Sequence, residues 1–187
     1  MIEIIIKTTS LYIITLLFFV SFTGYGKILI DKNITDIKKL NFFEVPIYGI
    51  ILNTIIGYLF YITIGFNSII NTFILVFGLF AYLFYQKKLN SIKLHNIFFL
   101  LLTIFSVLLI SKTHEDFNGY HLFAIHEIFN NALRIGVSFF DGRFFHSSLL
   151  VLNQALTILP FYEFKLVQLT TFLIYFSTIG YFLQIIL

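Results

Sequence analysis

Seven charged residues and four of the chain's five histidines fall between Ser111 and Ser148, in the stretch SKTHEDFNGYHLFAIHEIFNNALRIGVSFFDGRFFHSS. Glu115 and Asp116 are adjacent carboxylates behind His114. A carboxylate so placed can take a proton from an acceptor hydroxyl, or hold a divalent ion against a pyrophosphate. Arg143 offers a planar fork for phosphate oxygens. His114, Tyr120, His121 and His146 can donate hydrogen bonds to a bound group or to developing negative charge. The same residues also have a plain reading. Asp116 caps a helix, Arg143 anchors at an interface, and the histidines are solvated. Residue types alone favour the plain reading.

No metal site is assigned. His126 to Asn130 reads HEIFN, which lacks the second histidine of an HExxH motif. His114 and Asp116 supply two ligands, a pairing common by chance. No cofactor is expected, and the need for a divalent ion stays open.

The elements that must position these groups are set by composition. The 187 residues are 59% hydrophobic and 11% charged, with a mean hydropathy of +0.95. Soluble domains carry about 25% charged residues. A chain of this size cannot hide so much apolar surface in its own interior, so part of that surface must face lipid. A net charge of +3 without a dense basic patch argues against nucleic acid. Cysteine is absent, which excludes disulfides, thiolate metal sites and a cysteine nucleophile. The wealth of Ile, Phe, Asn and Lys reads as compositional bias, so individual Asn and Lys residues carry little weight.

Continuous apolar runs predict spans over 8–25, 46–65, 68–84 and 97–110 before the polar stretch, and over 148–161 and 166–187 after it. The first run has one basic residue ahead of it and no small-x-small cleavage site, and so reads as an uncleaved span. The fold class is therefore all-α, a polytopic membrane protein of about six transmembrane helices forming a single membrane domain over 1–187. Lys27, Lys32, Lys38 and Lys39 lie between the first two spans, and Lys87, Lys88 and Lys93 between the third and fourth. The turn GFNS has no charge. The positive-inside rule places the lysine-rich loops in the cytoplasm, and the N-terminus and the 111–148 loop outside. Asn118-Gly119 is a turn signal within that loop. From Tyr120 a short interfacial helix is expected, with Leu122, Ile125 and Phe129 on one face and His126 and Asn130 on another. Asp116 or Asn118 is the candidate cap. The chain ends in an apolar run, YFLQIIL, and reads as a truncated product or a piece of a longer protein.

Asp116, Tyr120-His121-Leu122 with Ala124-Ile125, Gly136, Asp141-Gly142-Arg143-Phe144, Ser147-Ser148 and Leu152-Asn153 occur in an order that resembles a family of bacterial polytopic membrane proteins. That family looks related to the GT-C type of membrane glycosyltransferases. The resemblance covers roughly 113–162. It implies an inner-membrane protein that uses a polyprenyl-phosphate-linked sugar at the outer face. It also implies that Asp116 is the acidic catalytic residue with Glu115 beside it, and that the helix from Tyr120 is a juxtamembrane helix. His114, Tyr120, His121, Arg143 and His146 would then contact phosphate or sugar. In GT-C enzymes, by contrast, the acidic loop follows the first span and the chain is longer. The other expectation is a non-enzymatic multi-span protein, an assembly or transport component whose polar loop is an entrance or contact surface. Membrane lipid is the expected partner in both cases. The spans hold almost no ionisable residues in their middles, and no small-xxx-small stripe strong enough to predict tight helix pairing.

Overall fold

A computed structural model describes residues 2–33, 41–84, 102, 121–133, 149–161 and 166–186. These form six helices, with no strand among the described residues: α1 (Ile2–Asn33), α2 (Glu44–Thr63), α3 (Ser68–Phe84), α4 (Leu122–Asn130), α5 (Leu149–Leu156) and α6 (Leu169–Ile186). Three are long and apolar enough to cross a membrane: α1 over Thr8–Ile30, α2 and α6. α3 is a further apolar helix of 17 residues. The composition and these helices are those of a membrane protein. In hydrocarbon every backbone polar group must be satisfied internally, and a helix does that within one segment.

The helix ends follow local chemistry. Asn41 and Glu44 cap the start of α2 reciprocally. Asn41 Oδ1 accepts from Phe43 N at 3.0 Å, and Glu44 Oε2 accepts from Asn41 N at 3.0 Å. Beyond the C-terminus of α2, Gly65 has φ +77°, the left-handed conformation that ends a helix, and its N–H reaches Phe60 O at 2.9 Å. Asn67 then caps α3, its Oδ1 accepting from Ile70 N at 2.8 Å.

Two compact units divide the chain. The first takes Met1–Ile50, Leu75–Ile110 and Phe172–Leu187; the second takes Ile51–Ile74 and Ser111–Thr171. In the first unit, buried aromatic rings fill the space between helices. Phe19 meets Phe176 edge-on at 5.3 Å, and Phe43 meets Phe176 at 5.8 Å. Glycines let backbones touch. A Cβ at Gly24 would strike the Gly78 carbonyl, and one at Gly49 would strike the Phe22 carbonyl. Ser21 Oγ donates across this contact to Leu75 O at 3.0 Å. Close helix contact through glycine is thus present in the first unit, where the sequence offered no stripe strong enough to predict it. The contacts join Gly24 to Gly78 and Phe22 to Gly49, pairs distant in the chain.

Two expected boundaries also move. The first span is not followed by a loop at residue 26. α1 runs on to Asn33, with Lys27 inside it and 6% exposed. No proline or turn dipeptide interrupts that stretch, and Gly24 and Gly26 are tolerated because they pack against α3 and α2. The apolar run 148–161 is not one span. α5 ends at Leu156, its eight described residues rising about 12 Å, and residues 157–161 are not helical. Pro160 bars helical conformation at the preceding residue and donates no N–H. The expected span over 97–110 lies outside the described residues, apart from helical Leu102.

Candidate functional site

Six of the seven sequence-predicted site residues, His114, Glu115, Asp116, Tyr120, Arg143 and His146, lie outside the described residues, as do Asn118 and the expected caps. His121 is described. It sits at the N-cap position of α4, exposed, with φ −72°, ψ −45° and no side-chain capping bond. α4 exists where a short amphipathic helix is expected, and it packs against α5. Ile125 and Ile128 are buried, while His126 and Asn130 are exposed. Asn130, in the place of a second metal-binding histidine, donates its amide to His126 O at 2.9 Å.

Of the described polar groups that do converge, only Asn153 figures in the sequence reading, as part of the family resemblance and with no role. These groups surround α5 in the second unit. Every residue from Val151 to Leu159 is buried, including Asn153, Gln154 and Thr157. Asn53 Nδ2 donates to Asn153 Oδ1 at 3.2 Å. Asn153 Nδ2 in turn reaches Thr54 Oγ1 and, at 3.1 Å, Leu149 O. Thr170 Oγ1 approaches Asn153 O at 3.4 Å, and Gln154 Nε2 approaches Thr171 Oγ1 at 3.5 Å.

The end of α5 frees backbone carbonyls, and side chains collect them. Asn71 Nδ2 donates to Ala155 O and Ile158 O, both at 2.9 Å. Thr157 Oγ1 lies 2.7 Å from Gln154 O and 2.8 Å from Leu166 O. Close helix contact brings these groups together: Gly57 of α2 leaves room for the Leu156 side chain. Asn53 is the tenth of the twenty residues of α2, about 15 Å of rise from its start. Asn153 is therefore level with the middle of α2, whereas the end of the helix, Leu156, faces Gly57 nearer the C-terminus of α2 and meets the first turn of α3 through Asn71. Non-helical backbone inside a membrane is tolerated only where protein or a polar cavity satisfies it. Two acceptors are left over: Asn71 Oδ1 and Gln154 Oε1 are buried without a hydrogen-bond partner among the described residues.

This arrangement can bind through amide and hydroxyl groups, but it holds no ionisable residue for acid–base work. Among the described residues no group of three or more His, Cys, Asp or Glu could hold a metal ion. Sequence reasoning discounted Asn53 and Asn71 as compositional bias and used Asn153 only in the family resemblance. The available signal was their position: Asn53, Asn71 and Asn153 each interrupt an apolar run. Comparison of the chain with known protein families, curated proteins and solved structures finds no match.

Proposed function

We propose that this is a multi-pass protein of the bacterial inner membrane, N-terminus outside, whose 111–148 segment serves a GT-C-like glycosyltransferase or its N-terminal portion. Asp116 takes the proton of the acceptor hydroxyl. That oxygen bonds to the anomeric carbon of a polyprenyl-phosphate-linked sugar, and the lipid phosphate leaves with the electron pair of the broken bond. Glu115 supports Asp116. Arg143 and His121 hold phosphate or sugar, with His114, Tyr120 and His146 around them. The observation that supports this reading is the setting of α4. The chain after it is hydrogen-bonded to the end of α2, Leu133 N to Tyr61 O at 2.9 Å, and Ala132 abuts Gly65. Gly65 belongs to the uncharged GFNS turn, which the lysine asymmetry assigns to the outer face.

A second reading, a non-enzymatic transport component, is favoured by a different observation. The Asn53–Asn153 amide pair lies level with the middle of α2, on a helix that ends within one turn of it, and discontinuous helices form solute sites in transporters. One complementation experiment separates the two. Asp116→Asn should abolish the glycan profile that the wild-type gene restores to a deletion strain, with unchanged membrane abundance. Full restoration by Asp116→Asn refutes the enzymatic reading.

A further inference from the structure

We propose that α5 is a re-entrant helix. It leads the chain back to the membrane face that carries the turn between α2 and α3, and α6 then crosses to the opposite face. Two pairs of residues fix the direction of α5. Asn53 of α2 bonds to Asn153, and Gly57, one turn further along α2, meets Leu156. α5 therefore runs parallel to α2, towards the end of α2 that leads into Gly65. Asn53 comes ten residues before Thr63, about 15 Å of rise. Leu149, one turn before Asn153, lies deeper still.

The chain before α5 and the chain after it are both at that end of α2. Before it, Leu133 N donates to Tyr61 O at 2.9 Å, and Ala132 abuts Gly65. After it, Ile158 O accepts at 2.9 Å from Asn71, in the first turn of α3. Fifteen residues separate Leu133 from Leu149, fewer than the about 20 of a helical crossing. Thr157 Oγ1 then lies 2.8 Å from Leu166 O, Thr170 Oγ1 3.4 Å from Asn153 O, and Gln154 Nε2 3.5 Å from Thr171 Oγ1. The order is reversed, so α6 runs antiparallel to α5. Its far end reaches the start of α2, where Tyr181 O accepts from Asn41 Nδ2 at 3.4 Å and Gly180 packs on the Phe43 ring.

A helix that stops inside hydrocarbon needs protein to collect its free carbonyls, and Asn71 and Thr157 do so here. Six spans in series would instead place Phe161 on the face where α2 starts and the end of α6 on the face of the α2–α3 turn. Both faces are defined by α2 alone. The proposal therefore depends on neither functional reading above, nor on which face is cytoplasmic.

The chain has no cysteine, so one introduced thiol reports one position. Ile64→Cys marks the face of the α2–α3 turn, and Lys38→Cys marks the face where α2 starts. A membrane-impermeant maleimide is added to the full chain in right-side-out and in inverted vesicles. Phe161 and Ile186 are exposed side chains, and their replacement should leave folding intact. Phe161→Cys should react in the vesicles where Ile64→Cys reacts and lose that reaction in the other set. Ile186→Cys should react where Lys38→Cys does. Leu149→Cys should not react from the Lys38 side. Reaction of Phe161→Cys from the Lys38 side, or from neither side although it reacts in detergent, overturns the proposal. So does reaction of Ile186→Cys from the Ile64 side. Reaction of Leu149→Cys from the Lys38 side would make α5 part of a full crossing, and also overturns it.

Discussion

Asn71 is the side chain that should hold the break after α5 in place. Asn71→Ala removes the donors to Ala155 O and Ile158 O. Ala155 O keeps the Ile158 N–H at 3.3 Å. Ile158 O is left with no other donor among the described residues, and a buried orphan carbonyl costs about 1–3 kcal/mol. The second lost bond adds about 0.5–1.5 kcal/mol. Against this, Asn71 Oδ1 has no partner itself, so its removal relieves about 1 kcal/mol. The net destabilisation is about 1–3 kcal/mol, a fall in Tm of roughly 2–12 °C for a chain of this size. Asn71→Asp separates hydrogen bonding from packing. It has nearly the same shape but turns acceptor oxygens toward the two carbonyls, so it should cost more than alanine. The assay is reversible denaturation in mixed micelles with a rising fraction of dodecyl sulfate, followed by far-ultraviolet circular dichroism. If both variants stay within about 0.5 kcal/mol of wild type, the usual scatter for a neutral surface change, Asn71 does not organise the break.

Two further outcomes follow from the packing. A double-mutant cycle on Asn53→Ala and Asn153→Ala, read by the same denaturation, should give a coupling of about 0.6 kcal/mol, the average for hydrogen bonds between helices in lipid, and no more than about 1.7 kcal/mol; a coupling of zero would mean the two amides do not interact. Gly24→Ala places a methyl group on the Gly78 carbonyl and should destabilise by about 3 kcal/mol or more. Ile13→Ala, on an exposed face of the same helix, should cost under about 1 kcal/mol. Equal effects of these two would remove the close helix contact from the account.

Much of the helical layout can be read from residue patterns. The spans 46–65, 68–84 and 166–187 correspond to α2, α3 and α6 within a few residues, because an apolar run ended by Gly, Asn or Ser admits few other structures in lipid. The amphipathic period likewise announces α4, with Ile125 inward and His126 and Asn130 outward. The site was less legible. Asp116 and Arg143 stand out because a charge is rare in such a chain, whereas Asn53, Asn71 and Asn153 look like interruptions, and each is separated from its partners by many residues. Lys27 reads as a loop residue because its own neighbours, Gly24, Gly26 and the lysines beyond, are loop-like in type.

By itself the sequence determined that this chain needs lipid, that it is helical, and which ends of its helices carry positive charge. These properties sum over local composition, and no distant contact is required to state them. Only the tertiary structure decided that α5 ends at Leu156, that Asn53 of α2 pairs with Asn153 while Asn71 of α3 holds the carbonyls at that end, and that Lys27 is buried over Tyr82. The reason is physical. A hydrogen bond between an amide of α3 and a carbonyl beyond α5 depends on how closely the backbones approach, and that is decided by contacts between residues distant in the chain, such as Gly57 with Leu156.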